Sequence, residues 1–224
     1  MLLEAIGISK TYDNETVLRD VSLGVELGES LVVTGPSGSG KSTLLSLLGL
    51  LLQPTGGEVL FQGQKISELS DDARSHIRNR SFGFIFQNPQ LIGSLSVLDN
   101  VLVPALLARK RGLEPKAEKL LKELGLKNRL SYLPYQLSIG QKRRVAVARA
   151  LLLDPVLVFA DEPTNDLDPE RAAWIGEYLL DVPKTGRTLI LATHDVRLAG
   201  QAARAVQIVE GGLRDLPIEE LKAG

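Results

Sequence analysis

One octet limits this chain more than any other stretch. Gly35-Pro36-Ser37-Gly38-Ser39-Gly40-Lys41-Ser42 fits the spacing G-x-x-x-x-G-K-[ST], between the apolar strand pattern Leu31-Val32-Val33-Thr34 and a helical run that starts at Ser42. In that setting the glycines let backbone N–H groups converge on phosphate oxygens, and the helix start adds its dipole and unpaired donors. Lys41 is expected to reach the β- and γ-phosphates of a nucleoside triphosphate, Ser42 to ligate Mg²⁺ and Thr43 to add a further phosphate contact. A ligand-free Gly/Ser turn is the bland alternative, and the complete octet in its strand-turn-helix setting argues against it.

Composition removes other classes. The 224 residues carry 26 Lys+Arg against 27 Asp+Glu, a net charge of −1 that offers no basic footprint for nucleic acid. With no cysteine and only two histidines, His76 and His194, a disulfide framework or a zinc centre is not expected. The densest apolar run, Leu44 to Leu52, is well short of the ~20 residues that span a bilayer. The N-terminus lacks the basic start, apolar stretch and cleavage site of a secretory signal, so a cytoplasmic location is expected.

Short apolar runs bounded by Gly, Pro or Asp read as strands: SLGVELG, SLVVTG, GGEVLFQG, SFGFIFQ, PVLVFAD, RTLILATHD and AVQIVEGG. Helical periodicity covers Lys41–Leu52, Pro115–Leu124, Gln141–Leu153 and Pro169–Leu180. This alternation predicts an α/β fold, a P-loop NTPase core with a mostly parallel sheet. Clustered strands in the first sixty or so residues, with turns at Asp13-Asn14 and Gly56-Gly57, predict an antiparallel β subdomain. Residues 88–154 carry only helical patterns and turns and are expected to form an inserted helical subdomain between core segments 1–87 and 155–224. The basic run Lys142-Arg143-Arg144 is read as a solvated helix face, His76 as exposed, and LPIEELKAG at the C-terminus as a short helix.

Val156 to Ala160 runs apolar into Asp161-Glu162, the pattern of a buried strand delivering carboxylates to its C-terminal edge. Asp161 is expected to hold Mg²⁺ and Glu162 to polarise the attacking water, although Asp-Glu-Pro can also simply end a strand. Further on, Leu137-Ser138-Ile139-Gly140-Gln141 precedes the helical stretch KRRVAVARALLLDP. Ser138 and Gln141 make a capping box that would start any helix. The stretch also resembles the LSGGQ signature of the ATP-binding cassette (ABC) ATPases, departing from it at Ile139, where the family usually has glycine.

That resemblance extends along the chain from Tyr12 to His194. Tyr12 matches the aromatic on which adenine stacks and Gln87 the Q-loop glutamine, a metal and nucleotide contact. Asn165-Asp166-Leu167-Asp168 matches the D-loop, with Asp168 near nucleotide, and His194 the switch histidine. The resemblance implies an ATPase that uses ATP and Mg²⁺. Two copies, or one copy and a paralogous subunit, meet head to tail, and the cradle of one subunit completes its site with Ser138, Gly140 and Gln141 of the other.

With no spanning segment of its own, the chain is expected to power a separate integral-membrane permease, at the inner face of the cell membrane. The expected docking segment is Asn88–Val103, where Leu91, Ile92 and Leu95 serve either as docking contacts or as core. The compact length and the stretch LSVLDNVLVPALL are similar to the lipoprotein-release and macrolide-export branch. A soluble ABC ATPase acting in DNA repair or translation is the main alternative; a small-molecule kinase and a non-catalytic ATP-gated module are others.

Overall fold

The computed structural model describes residues 1–222, and the final Ala-Gly of the predicted C-terminal helix lies outside them. In chain order the elements are β1 (Leu3–Tyr12), β2 (Glu15–Val25), β3 (Ser30–Thr34), α1 (Lys41–Leu48), β4 (Gly56–Phe61), β5 (Gln64–Lys65), α2 (Asp71–Ser81) and β6 (Phe82–Ile85). They continue with α3 (Val97–Leu107), α4 (Glu114–Glu123), α5 (Ile139–Leu151), β7 (Leu157–Asp161), α6 (Pro169–Leu180) and β8 (Thr188–Ala192). The last four are α7 (Val196–Ala199), β9 (Arg204–Val209), β10 (Gly212–Leu216) and α8 (Ile218–Lys222).

Two sheets result. A six-stranded sheet has the order β10-β9-β3-β8-β7-β6 and is parallel except for β10, which closes a hairpin with β9. A four-stranded antiparallel sheet has the order β2-β1-β4-β5. The α/β fold read from the sequence, with its antiparallel part, is the fold observed.

The near-continuous apolar runs of β3, β7 and β8 reflect burial on both faces. Their side chains divide by parity: Leu31, Val33, Leu157, Phe159, Ile190 and Ala192 join the core shared with α1 and the antiparallel sheet. Val32, Val158, Ala160, Leu189 and Leu191 join the core shared with α3 to α7. All five phenylalanines chain together along one face, Phe61–Phe82 and Phe82–Phe159 edge to face at 5.1 and 5.3 Å, Phe84 stacked on Phe159 at 5.3 Å and on Phe86 at 5.7 Å.

Several boundaries differ from the sequence reading, each for a packing reason. Gly56-Gly57 is not a turn but opens β4; Gly57, at φ +75°, lies so near β1 that a Cβ would fall 2.3 Å from the Gly7 carbonyl oxygen. The first helix stops at Leu48 rather than Leu52, because Gly49 sits against the Phe84 ring and Leu50 turns to φ +61°. DDARSHIRNR, which has no apolar face, is helical as α2, capped by Ser70 and holding Asp71 and Asp72 in its first turn, where its dipole favours them. His76 within it is exposed, as expected.

Candidate nucleotide site

β8 lies between β3 and β7 in the sheet, so the loops leaving all three strands meet at one edge. Residues 35–40 follow β3, Asp161-Glu162 end β7 and Thr193-His194 follow β8. Such carboxyl edges are where open α/β sheets bind ligands.

The turn after β3 delivers the N-terminus of α1. Its N-cap, Gly40, has φ +103°, and a Cβ there would meet Val17 at 2.9 Å. No side chain caps this helix and no acidic residue sits in its first turn, which leaves its backbone donors to an anion. Lys41 is buried at 6% exposure, and its Nζ donates to the carbonyls of Gly35 at 2.8 Å and Pro36 at 3.1 Å. The same Nζ lies 3.3 Å from Glu162 Oε1. Glu162 is itself buried, and its other oxygen, Oε2, is 3.0 Å from His194 Nδ1 and accepts from the His194 backbone N at 3.4 Å. Lys41, Glu162 and His194, distant in sequence, thus form one contiguous polar chain. The Glu162 backbone sits at φ +42°, a left-handed conformation that costs a non-glycine residue about 1–3 kcal/mol.

Asp161 Oδ1 is buried without a hydrogen-bond partner. Burial pushes its carboxyl above the ordinary carboxylate range; the charge on Glu162 adds to this, while the Ser42 hydroxyl and the Lys41 ammonium work against it. A small cavity of about 20 Å³ opens beside Ser42 and Asp161. An orphaned carboxylate oxygen next to a hydroxyl is a donor set that suits Mg²⁺, which takes one or two protein oxygens and completes its shell with water and substrate phosphates.

The remaining predicted residues divide into two groups. Gly35, Pro36, Ser37, Gly38, Ser39 and Thr43 belong to the turn and first turn of α1, and Tyr12 stands 42% exposed at the end of β1 with Lys10 Nζ 5.1 Å over its ring. Gln87 is exposed two residues beyond β6. Ser138, Gly140 and Gln141 form a separate cluster. The capping box is as expected, Gln141 N donating to Ser138 Oγ at 3.3 Å and Ser138 N to Gln141 Oε1 at 2.9 Å. Gly140 packs against Leu167 and Arg171, and Asp168 caps α6 by accepting from Arg171 N at 3.1 Å. Ile139 projects from this cluster, 55% exposed.

One expectation is corrected, and one left open is resolved. The run Lys142-Arg143-Arg144 is not a solvated face: Arg143 is 2% exposed, and Arg144 donates to the carbonyls of Gly140 at 3.4 Å and Leu124 at 3.1 Å. Of the three apolar residues in the predicted docking segment, only Ile92 is exposed; Leu91 packs on the core and Leu95 is half-buried. The segment is shaped by a residue the sequence reading did not single out. Asn100, fully buried, accepts from Ile92 N at 2.8 Å and donates to the carbonyls of Ile92, Leu95 and Ser96. Its only sequence signal is an amide, beside Asp99, within the mostly apolar helical stretch VLDNVLV.

The fold and the polar chain at its edge define a P-loop nucleoside triphosphatase. A family model described as ABC transporter matches residues 18–165. Among curated relatives, the lipoprotein-releasing system ATP-binding protein LolD of Aquifex aeolicus is 42% identical over 212 residues, covering 94% of this chain and 95% of that protein. The macrolide export ATP-binding/permease protein MacB of Pectobacterium atrosepticum is 41% identical, and the match covers 94% of this chain but 33% of MacB. The chain therefore spans about a third of the MacB relatives and nearly all of LolD. Among solved structures, the ATP-binding cassette MJ0796, in a dimeric post-hydrolysis state bound to ADP and Pi, superposes with a TM-score of 0.88 at 34% identity, covering 96% of this chain and 98% of that one. The chain belongs to the ABC transporter family, as an ATP-binding and ATP-hydrolysing subunit.

Proposed function

We propose that this subunit works as half of a head-to-tail dimer that closes on ATP and opens after hydrolysis, driving a separate membrane-spanning partner. The observation that carries this reading is the division of the site. Lys41 and His194 both contact Glu162, whereas Ser138, Gly140 and Gln141 gather around the start of α5 with neighbours from α6 and its approach. A second copy, or a paralogous subunit, supplies the missing half; MJ0796, at 34% identity, is dimeric with ADP and Pi. In this reading residues 88–154 are the signature-bearing part, and residues 1–87 with 155–224 are the nucleotide-holding part.

Within one half-site, the free donors of residues 35–43 and the Lys41 ammonium hold the phosphates, and Tyr12 stacks on adenine. Ser42, Asp161 and Gln87 would hold Mg²⁺, which when bound supplies charge neutralisation on the β- and γ-phosphates. Glu162 accepts the hydrogen bond that orients the attacking water, and His194 holds the γ-phosphate. From the other subunit, the α5 N-terminus with Ser138 and Gly140 faces that phosphate as an anion site, near Gln141 and Asp168.

The membrane partner docks in a groove of about 890 Å³ between α2, α3 and β6, whose lining includes Leu51, Phe86, Gln90, Pro104, Leu107 and Arg149. The groove takes in Gln90 and Val103 of the predicted segment Asn88–Val103 and extends beyond it to the end of α3. What supports a separate partner is the likeness to LolD, matched over 95% of its length and named as the ATP-binding protein of a lipoprotein-releasing system; the MacB relatives, matched over a third of theirs, are named ATP-binding/permease proteins. The chain would then sit at the cytoplasmic face of the membrane.

Mixing two inactive variants tests the shared site. Lys41→Ala lacks a working cradle and Ser138→Arg a working signature, so the mixed dimer keeps one intact site. Hydrolysis is expected to reappear on mixing, at up to about half the parental rate per dimer. Persistent inactivity of a mixture whose heterodimer is present by native mass spectrometry would contradict the shared site.

A further inference from the structure

Helix α5 carries a side chain in unusual surroundings for a base. Arg143, nearly inaccessible, directs its two terminal nitrogens to carbonyls from segments remote in sequence: Nη1 donates to Glu162 O at 2.7 Å and Nη2 to Gln87 O at 2.9 Å. Its Nε has no partner. Burial lowers the affinity of this guanidinium for its proton, opposed by the negative charges of Asp166 and Glu162. Such a cation is tolerated inside only where charge-assisted hydrogen bonds replace its water.

The acceptor at Glu162 is the informative one. A left-handed backbone at a residue with a Cβ persists only when its surroundings over-determine it. Here the residue's N–H donates to Ala192 O at 2.9 Å, and its carbonyl accepts from Arg143 and, within the turn that follows, from Asn165 N at 3.2 Å. The first bond continues the sheet pairing of β7 with β8; the bond from Arg143 comes from a different element, little more than a turn past the Ser138–Gln141 cap.

We infer that Arg143 is a positioning residue that clamps the left-handed backbone of Glu162, aiming its carboxylate at Lys41 and His194, and ties that point to the Gln87 segment. Arg149, further along α5, extends the tie through the carbonyls of Pro89 at 2.7 Å and Gln90 at 2.9 Å. A shift of the first turns of α5 therefore changes the aim of Glu162 without any contact between α5 and nucleotide in the same subunit. The effect on hydrolysis rests on the proposed role of Glu162; the clamp itself does not.

Arg143→Met and Arg143→Lys in the full chain, read by hydrogen exchange, ATP titration and steady-state hydrolysis, test the clamp. In R143M, exchange in peptides covering 162–166 and 86–90 is expected to rise about tenfold or more, with the β1–β4 peptides unchanged. The kcat is expected to fall about tenfold or more while ATP affinity stays within about threefold, the pattern of a group acting on the chemical step. R143K, which keeps the charge but cannot span both carbonyls, falls between parent and R143M. A folded R143M with unchanged exchange at 162–166 and kcat within about twofold of the parent overturns the clamp. If R143M does not fold, R143K is judged by the same two readouts. Parental hydrolysis by Glu162→Gln would remove the role given to Glu162, while exchange at 162–166 would still decide the clamp.

Discussion

Lys41 is the residue on which most depends, since it meets the Gly35 and Pro36 carbonyls and the Glu162 carboxylate with a single ammonium. Replacing it with alanine removes the charge offered to the phosphates and strands a buried glutamate. Lys41→Ala is expected to weaken ATP binding by about tenfold or more in an equilibrium titration, since bonds to charged groups each contribute about 1.5–3 kcal/mol. Unchanged affinity would count against the cradle. The octet around Lys41 was legible because its residue types follow from phosphate chemistry alone. Arg143 was not legible: a Lys-Arg-Arg run normally belongs to a wet surface, and nothing local reveals that this side chain reaches the carbonyls of Gln87 and Glu162. The left-handed backbone of Glu162 was hidden for the same reason, since strain has no sequence signature in a residue other than glycine.

Periodicity found elements whose burial is regular and missed those whose reason lies in a neighbour. The strands β3, β7 and β8 and the Ser138–Gln141 cap were readable from residue types and spacing alone. The left-handed backbone of Gly57 depends on how closely β1 passes, and the early end of α1 on the Phe84 ring, both contacts made across the fold. Asn100 shows the same limit within α3, where one buried amide organises residues 92–96 on the approach to the groove. Asn100→Leu removes the side-chain partner of the Ile92 N–H and of the Leu95 carbonyl, while the Ile92 and Ser96 carbonyls keep backbone donors. It is expected to cost about 1–3 kcal/mol in denaturant unfolding. A midpoint equal to the parent's would indicate that water replaces the amide at no cost.

For the whole molecule, strand order gathers one set of the proposed site residues at a single edge and leaves the other set on α5. With β8 between β3 and β7, the cradle, the acid pair and His194 share one sheet edge, while α5 presents its own N-terminus among α6 neighbours. Closure of two such chains would turn ATP binding energy into motion, because ligand present only in the closed form shifts the population toward it. The groove between α2 and α3 reaches the same machinery through Gln90 and Arg149, which lie in its lining and are hydrogen-bonded to each other. The mass of Glu162→Gln in solution, with and without Mg-ATP, tests the dimer most directly. The account predicts a 24.3 kDa species without nucleotide and one of twice that mass with ATP retained and essentially no phosphate released. A monomer that binds ATP and hydrolyses it at the parental rate would contradict it.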